Sequence, residues 1–233
     1  MGRLSICKIA DLFVEIPSAG GMSSRCEEYL AQTNEKPDII IKEEKYDISR
    51  WPSLAPEYLA YMDSGWQFYS KLIRFGGMML HASAVELNGE AYLFSGPSGI
   101  GKSTHSRLWT SLFPGATVFN DDKPALRLID GVWYAYGTPW CGKDGINRNV
   151  KAPLKGICFL RRGESNSMRR LSTIEAIGAI FSQTQSRFAN SEALGGLTTV
   201  IEQLIRDIPV YELVNTADEE AALLSHKIMS TEE

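Results

Sequence analysis

Residues 96–103, Gly96-Pro97-Ser98-Gly99-Ile100-Gly101-Lys102-Ser103, follow the pattern G-x-x-x-x-G-K-[ST]. Their surroundings suit it. The apolar run Ala91-Tyr92-Leu93-Phe94 leads in as a strand would, and Thr104-His105-Ser106-Arg107-Leu108-Trp109 leads out as a helix would. Glycines let backbone N–H groups turn inward around an anion without Cβ clashes, and the following helix N-terminus completes the anion site. Lys102 can reach β- and γ-phosphates, and the Ser103 hydroxyl can ligate Mg²⁺. The expected ligand is therefore a nucleoside triphosphate or something shaped like one, with Mg²⁺. Gly96, Ser98, Gly99, Ile100, Gly101, Lys102, Ser103 and Thr104 are the expected nucleotide contacts, and an α/β chain is the expected fold.

Composition bounds the alternatives. At 233 residues the chain suits one domain of moderate size, or a small one leading a larger. A formal net charge of −4 argues against nucleic acid as main partner, because no basic stripe balances a phosphate backbone. No run approaches the roughly 18 apolar residues a membrane span needs. Met1 to Cys7 soon meets Lys8, Asp11 and Glu15, unlike a signal peptide. Cys7, Cys26, Cys141 and Cys158 are scattered, with no C-x-x-C pair, which suits a reducing compartment. The expected location is cytoplasmic.

Along the chain, 4–9 and 12–16 alternate like short strands around an Ala10-Asp11 turn. A short helix is expected around Ser24–Ala31 and a strand at Asp38–Lys42. Residues 43–54 read as a linker, so residues 1–50 form a small N-terminal α+β segment and 51–233 the nucleotide-binding domain. Pro56–Arg74 fits one buried helix, with Trp66, Phe68 and Tyr69 as core, stopped by Gly76-Gly77. Met78–Leu87 and Ala91–Ser95 flank an Asn88-Gly89 hairpin turn, and Ala125–Ile129 and Val132–Tyr136 flank Asp130-Gly131. Thr117–Phe119, Leu154–Leu160 and Val210–Val214 read as further strands, and Thr173–Phe188 and Leu194–Asp207 as helices. Thr216-Ala217-Asp218-Glu219 reads as a capping box opening a last helix to about Met229. Hairpins mixed with helices predict a mixed sheet rather than regular β-α alternation.

Phe119-Asn120-Asp121-Asp122 is the second chemical signal: an apolar strand ending in paired carboxylates. Phosphoryl transfer needs Mg²⁺ held on the phosphates and often a carboxylate for the acceptor's proton. Adjacent side chains at a strand end project in different directions, so one Asp can face metal and the other acceptor. His81 opens the strand that leads to the first hairpin, which brings it close to the phosphates. Lys143 and Arg148 are candidate contacts to phosphate or an anionic acceptor. Arg161-Arg162 ends a strand and reads as a surface salt bridge. Cys141 has no paired His in its sequence context, and His105 and His226 read as structural.

His81-Ala82-Ser83-Ala84-Val85, then Gly96 to His105, Asn120-Asp121-Asp122-Lys123-Pro124 and Gly137-Thr138-Pro139-Trp140-Cys141-Gly142-Lys143 occur in this order. Together they resemble the nucleotide-binding core shared by HPr serine kinase/phosphorylases and ATP-dependent phosphoenolpyruvate carboxykinases. The finer pattern is similar to HPr-kinase-like proteins, some found with peptide-modification systems. The resemblance covers roughly Leu80 to Leu160 well, the C-terminal part loosely and 1–75 hardly at all. It implies Asp121 as the base for a serine hydroxyl, Asp122 as a metal ligand with Ser103, and His81 beside the phosphates. Two departures stand out. Gly137-Thr138-Pro139-Trp140 replaces the stretch that supplies a further metal-associated Glu in the kinases, and the carboxykinases' substrate arginines have no counterpart.

The expected activity is therefore ATP-dependent transfer of the γ-phosphoryl to a hydroxyl, a serine of a peptide or small protein, with Asp121, Lys102 and His81 catalytic. Two rivals stand beside it. One is a non-catalytic nucleotide-sensing or peptide-recognition module. The other is small-molecule or carboxykinase-like phosphotransfer, which a pocket near Asp121 lined by Arg and Lys would favour. The resemblance leaves an oligomer open, since the related kinases assemble.

Overall fold

The computed structural model of the chain describes residues 4–17, 22–43, 53–184 and 191–231. The first strands, β1 (Leu4–Ile9) and β2 (Leu12–Pro17), form the expected hairpin. Ala10 and Asp11 make its turn at φ of 50° and 60°. The helix expected at Ser24–Ala31 is instead one turn, α1 (Met22–Arg25), followed by a 3-10 turn at Glu27–Tyr29. The β1 edge competes for the backbone here: Leu30 bridges to Cys7, and the Ala31 N–H donates to the Ile6 carbonyl at 2.9 Å. β3 (Ile39–Ile40) lies parallel to β2. Most of the expected linker, residues 44–52, lies outside the described residues.

α2 (Pro56–Leu72) opens on a proline, whose missing N–H costs nothing in the first turn. A short 3-10 extension ends at Gly76, φ 67°. The helix buries Tyr61, Phe68, Tyr69 and Leu72, whereas Trp66, read as core from the sequence, is 36% exposed. Tyr58, Met62 and Trp66 follow at i+4 spacing and form a separate stripe outside the buried face.

The single strand expected at 78–87 is two, β4 (Gly77–Met79) and β5 (Ala82–Leu87). The break at Leu80-His81 moves the chain from pairing β8 to pairing β6 and β7. Carbonyls of other segments take its N–H groups: His81 donates to Gln183 at 2.8 Å and Ala82 to Asp122 at 3.1 Å. Then come β6 (Glu90–Ser95), α3 (Lys102–Leu112), β7 (Thr117–Asn120), β8 (Ala125–Ile129), β9 (Val132–Tyr136) and β10 (Lys151–Arg162). β11 (Ser167–Arg170), absent from the sequence reading, precedes α4 (Thr173–Ser182), α5 (Ser191–Asp207), β12 (Val210–Asn215) and α6 (Glu219–Met229). The remainder of the helix expected to reach Phe188 falls on residues 185–188, outside the described residues. The capping box lies elsewhere too. Asp218, not Thr216, caps α6 by accepting from the Ala221 N–H, while Ser172 and Glu175 form a full box at α4.

Nine strands form the main sheet in the order β4-β8-β9-β10-β6-β5-β7, with β12 joined to β10 and β11 to β12. β6, β10 and β12 run parallel and the other pairs antiparallel, a mixed α/β arrangement. Side chains alternate across it. Phe94 and Cys158 face α3 and α6, while Leu93 and Ile157 face α4 and α5. A third core joins the N-terminal sheet to α2 and the β8–β9 end, where Phe68 stacks on Trp140 at 4.8 Å between centroids. Among the described residues no helix is long and apolar enough to cross a membrane.

A Cβ on Gly65 of α2 would sit 2.8 Å from the Trp140 ring. In an open helix, Gly→Ala gains about 1 kcal/mol, but forcing a methyl into a packed core costs about 1–3 kcal/mol. Gly65→Ala is expected to lower the urea unfolding midpoint despite its better helix propensity.

Candidate active site

β6 delivers the chain to a loop whose shape demands glycine. Gly96, Gly99 and Gly101 have φ of 139°, 78° and 117°, and Gly101 caps α3 in the left-handed region. A Cβ on Gly96 would meet the Leu160 carbonyl oxygen at 3.3 Å. Lys102 folds back over the loop, its Nζ donating to the Gly96 carbonyl at 2.9 Å and the Pro97 carbonyl at 3.3 Å. Burial lowers its pKa, and the charge of Asp122 works the other way. Arg162, expected in a surface salt bridge, pairs with no carboxylate among the described residues and instead donates to the Gly99 carbonyl at 2.7 Å. Its neighbour Arg161 does pair with Glu212, at 3.3 Å.

The paired carboxylates follow β7. Asn120, fully buried, shapes the turn beyond it. Its amide donates to the carbonyls of Thr138 at 3.1 Å and Trp140 at 3.3 Å, and its oxygen accepts from the N–H groups of Asp122 at 3.1 Å and Lys123 at 2.7 Å. The two carboxylates then take different surroundings. Asp121 accepts from the Gly142 N–H at 2.6 Å and the Asp144 N–H at 3.1 Å. A Cβ on Gly142 would come within 2.9 Å of that carboxylate and force it to shift. Burial raises the pKa of Asp121, with these N–H groups opposing it. For Asp122 burial also pushes upward, but the His81 hydrogen bond and Lys123 outweigh it, and its pKa falls to about 2.

His81 Nε2 lies 3.1 Å from Asp122 Oδ1, and its Nδ1 lies 3.2 Å from Gln183 Oε1. Lys123 Nζ pairs with the other Asp122 oxygen. The histidine is thus fixed between a carboxylate and an amide at the β4–β5 break, where the chain leaves β8 for β6 and β7.

These groups open onto one cleft of about 900 Å³. Ser98, Gly99, Gly101, Lys102, Ser103 and Thr104 line it, and so do His81, Asp121, Asp122 and Lys143. Gly96 and Ile100 are not among its lining; the Ile100 side chain packs against the core that includes Trp109 of α3. Arg148 is not brought to the cleft: its N–H bonds to the Phe119 carbonyl at 2.9 Å and its side chain is exposed. Residues without a role in the sequence reading also line the cleft, among them Arg25, Tyr61 and Lys123. Tyr61 holds the 140s loop by donating to the Cys141 carbonyl at 2.7 Å and accepting from its N–H at 2.9 Å. Burial raises the pKa of Cys141, the reverse of an activated nucleophile. His105 is buried against Ser225 at 2.9 Å and His226 stacks on Phe113 at 4.0 Å, both structural.

No protein-family model matches the chain, and no curated protein sequence is similar to it. Among solved structures it is similar to the Hpr(Ser) kinase/phosphatase from Coxiella burnetii, at 12% identity and a TM-score of 0.37. That likeness covers 65% of this chain and 94% of that one. At this level it carries no functional weight, and the cleft itself does.

The acid limb of stability tests the Asp122 environment. Its folded pKa of about 2 lies below the ordinary 3.8. The carboxylate's contribution, on the order of 2 kcal/mol, is therefore present above about pH 4 and lost as pH falls toward about 2. Urea midpoints taken across that range should fall less steeply for Asp122→Asn than for the unaltered chain.

Proposed function

We propose that the chain is an ATP-dependent phosphotransferase of the HPr-kinase-like kind, moving the γ-phosphoryl group to a hydroxyl acceptor. The observation that carries this is the split between neighbouring carboxylates beside the glycine loop: the pKa of Asp121 raised, that of Asp122 lowered, in the cleft that Lys102 and Ser103 also line. Environments that push two titratable groups apart suit one as base and one as a permanently charged ligand.

The loop N–H groups and Lys102 bind the phosphates; Lys102 exchanges the Gly96 and Pro97 carbonyls for phosphate oxygens. The acceptor oxygen bonds to the γ-phosphorus while the bond from that phosphorus to the β,γ-bridging oxygen breaks. ADP leaves with the bonding pair, and the hydroxyl proton passes to Asp121. Asp121 reaches the acceptor through its carboxylate's remaining lone pairs, each oxygen already accepting one backbone N–H. His81 orients Asp122.

Among the described residues no three His, Cys, Asp or Glu side chains group to hold a metal. The Ser103 hydroxyl and the Asp122 carboxylate are nevertheless hard oxygen donors on one cleft, and Mg²⁺ commonly takes only one or two protein ligands beside phosphates. They fit Mg²⁺, which when bound neutralises charge on the phosphates.

A peptide or protein serine is the acceptor that the sequence resemblance implies. A small-molecule acceptor is the second reading, favoured by Arg25, Lys123 and Lys143 lining the cleft with Asp121. Labelled ATP offered with serine peptides and small alcohols, followed by mass spectrometry for new phosphoesters, tests the activity; nucleotide binding with no turnover would leave a sensing module. Lys102→Ala is expected to lose nucleotide binding in calorimetry. Asp121→Asn is expected to bind nucleotide normally while transfer falls about 10²- to 10⁴-fold. Full transfer by Asp121→Asn would remove it as the base.

A further inference from the structure

Five Lys and Arg side chains and three carboxylates line the cleft. Three of the cations are already engaged. Lys102 lies on the glycine loop, Lys123 pairs with Asp122, and Arg107 pairs with Asp144 at 2.7 Å. Arg25 and Lys143 remain. Among the described residues neither has a carboxylate within 4.0 Å, and Glu57 is the only cleft carboxylate outside the Asp pair.

Arg25 is the more telling of the two. It comes from the N-terminal segment, is half-buried, and its guanidinium lies 4.6 Å above the Tyr61 ring. Among the described residues its side-chain hydrogen bond goes to the Cys141 sulfur at 2.6 Å, a weak acceptor for a fork of five N–H donors. The Asn147 amide fixes the Arg25 backbone by donating to its carbonyl at 2.8 Å. A partly desolvated guanidinium with no carboxylate beside it among the described residues is costly to keep, and it is pre-organised for bidentate capture of an anion.

Its neighbours place that anion close to Asp121. Cys141, which Arg25 touches, adjoins Gly142, whose N–H holds Asp121 at 2.6 Å. Lys143 sits between Gly142 and Asp144, the two residues whose N–H groups hold Asp121. Both cations therefore lie within about two residues of the backbone that cradles the carboxylate. We infer that the acceptor is a small alcohol carrying a carboxylate or phosphate a few bonds from its hydroxyl, the anion held by Arg25 and Lys143 and the hydroxyl facing Asp121. This rests on the phosphotransferase reading above and narrows its acceptor.

The test uses the full chain saturated with a non-hydrolysable ATP analogue and Mg²⁺, so that the glycine loop cannot take the probe. Glycerate, glycerol 3-phosphate, glycerol and a glutamate-flanked serine peptide are titrated in turn. At least one of the two small anions is expected to bind, glycerol is not, and the better anion should bind at least tenfold more weakly to Arg25→Gln. Lys143→Gln, a change at an exposed side chain, should weaken the same anion severalfold. Analogue affinity should be equal in all three proteins, which controls for folding. Glycerate and glycerol 3-phosphate, compared with each other, separate a carboxylate site from a phosphate site. Binding no better than that of glycerol, anion affinity unchanged in both variants, or binding confined to the peptide would each overturn the inference. Failure of the analogue itself to bind would instead count against the phosphotransferase reading.

Discussion

The Asn120 side chain is the constraint on which the site depends. Fully buried amides must find partners, and this one spends both its donor and acceptor ends on other segments. The donor end ties β7 to the Thr138–Trp140 backbone and the acceptor end closes the turn that carries Asp121 and Asp122. Thr138 reinforces the same knot, its hydroxyl donating to the Lys123 carbonyl at 2.8 Å. The directions of the two carboxylates are therefore properties of the sheet end and not of a free loop. Replacing such a group would leave several buried backbone groups without partners at once.

From that turn the electrostatics follow. Asp121 is buried against backbone N–H groups and pairs with no cation among the described residues, so burial dominates. Asp122, one residue on, meets His81 and Lys123 and stays charged. The β4–β5 break makes this possible. A continuous strand would give residue 81 a place in the ladder, whereas here its backbone bonds to Gln183 and its ring turns to Asp122.

Much of this was legible in the residues, because it is local. The strand–loop–helix at 90–112, the two hairpin turns and the apolar lead into Asp121 rest on spacings a few residues long. What the sequence hid depends on distant partners. Arg25 meets Cys141 across 116 positions, and nothing near Arg25 in the chain announces it. The helix expected at Ser24–Ala31 failed because the β1 edge captured its last residues, and Thr216 lost its capping place to Asp218, which lies directly before the first turn. Arg148 shares a loop with Lys143, yet its side chain stands outside the cleft, a distinction that depends on loop path and not on residue type.

Trp140 joins two kinds of property that are usually separable. Its indole stacks on Phe68 and donates to Ser64 at 3.0 Å, which seats the loop against α2, and its neighbour Cys141 receives Arg25. The N-terminal sheet packs into this same core. Packing volume around one tryptophan thus sets where a positive charge stands relative to Asp121. A substitution in this core would therefore displace the Arg25 guanidinium along with the packing around it.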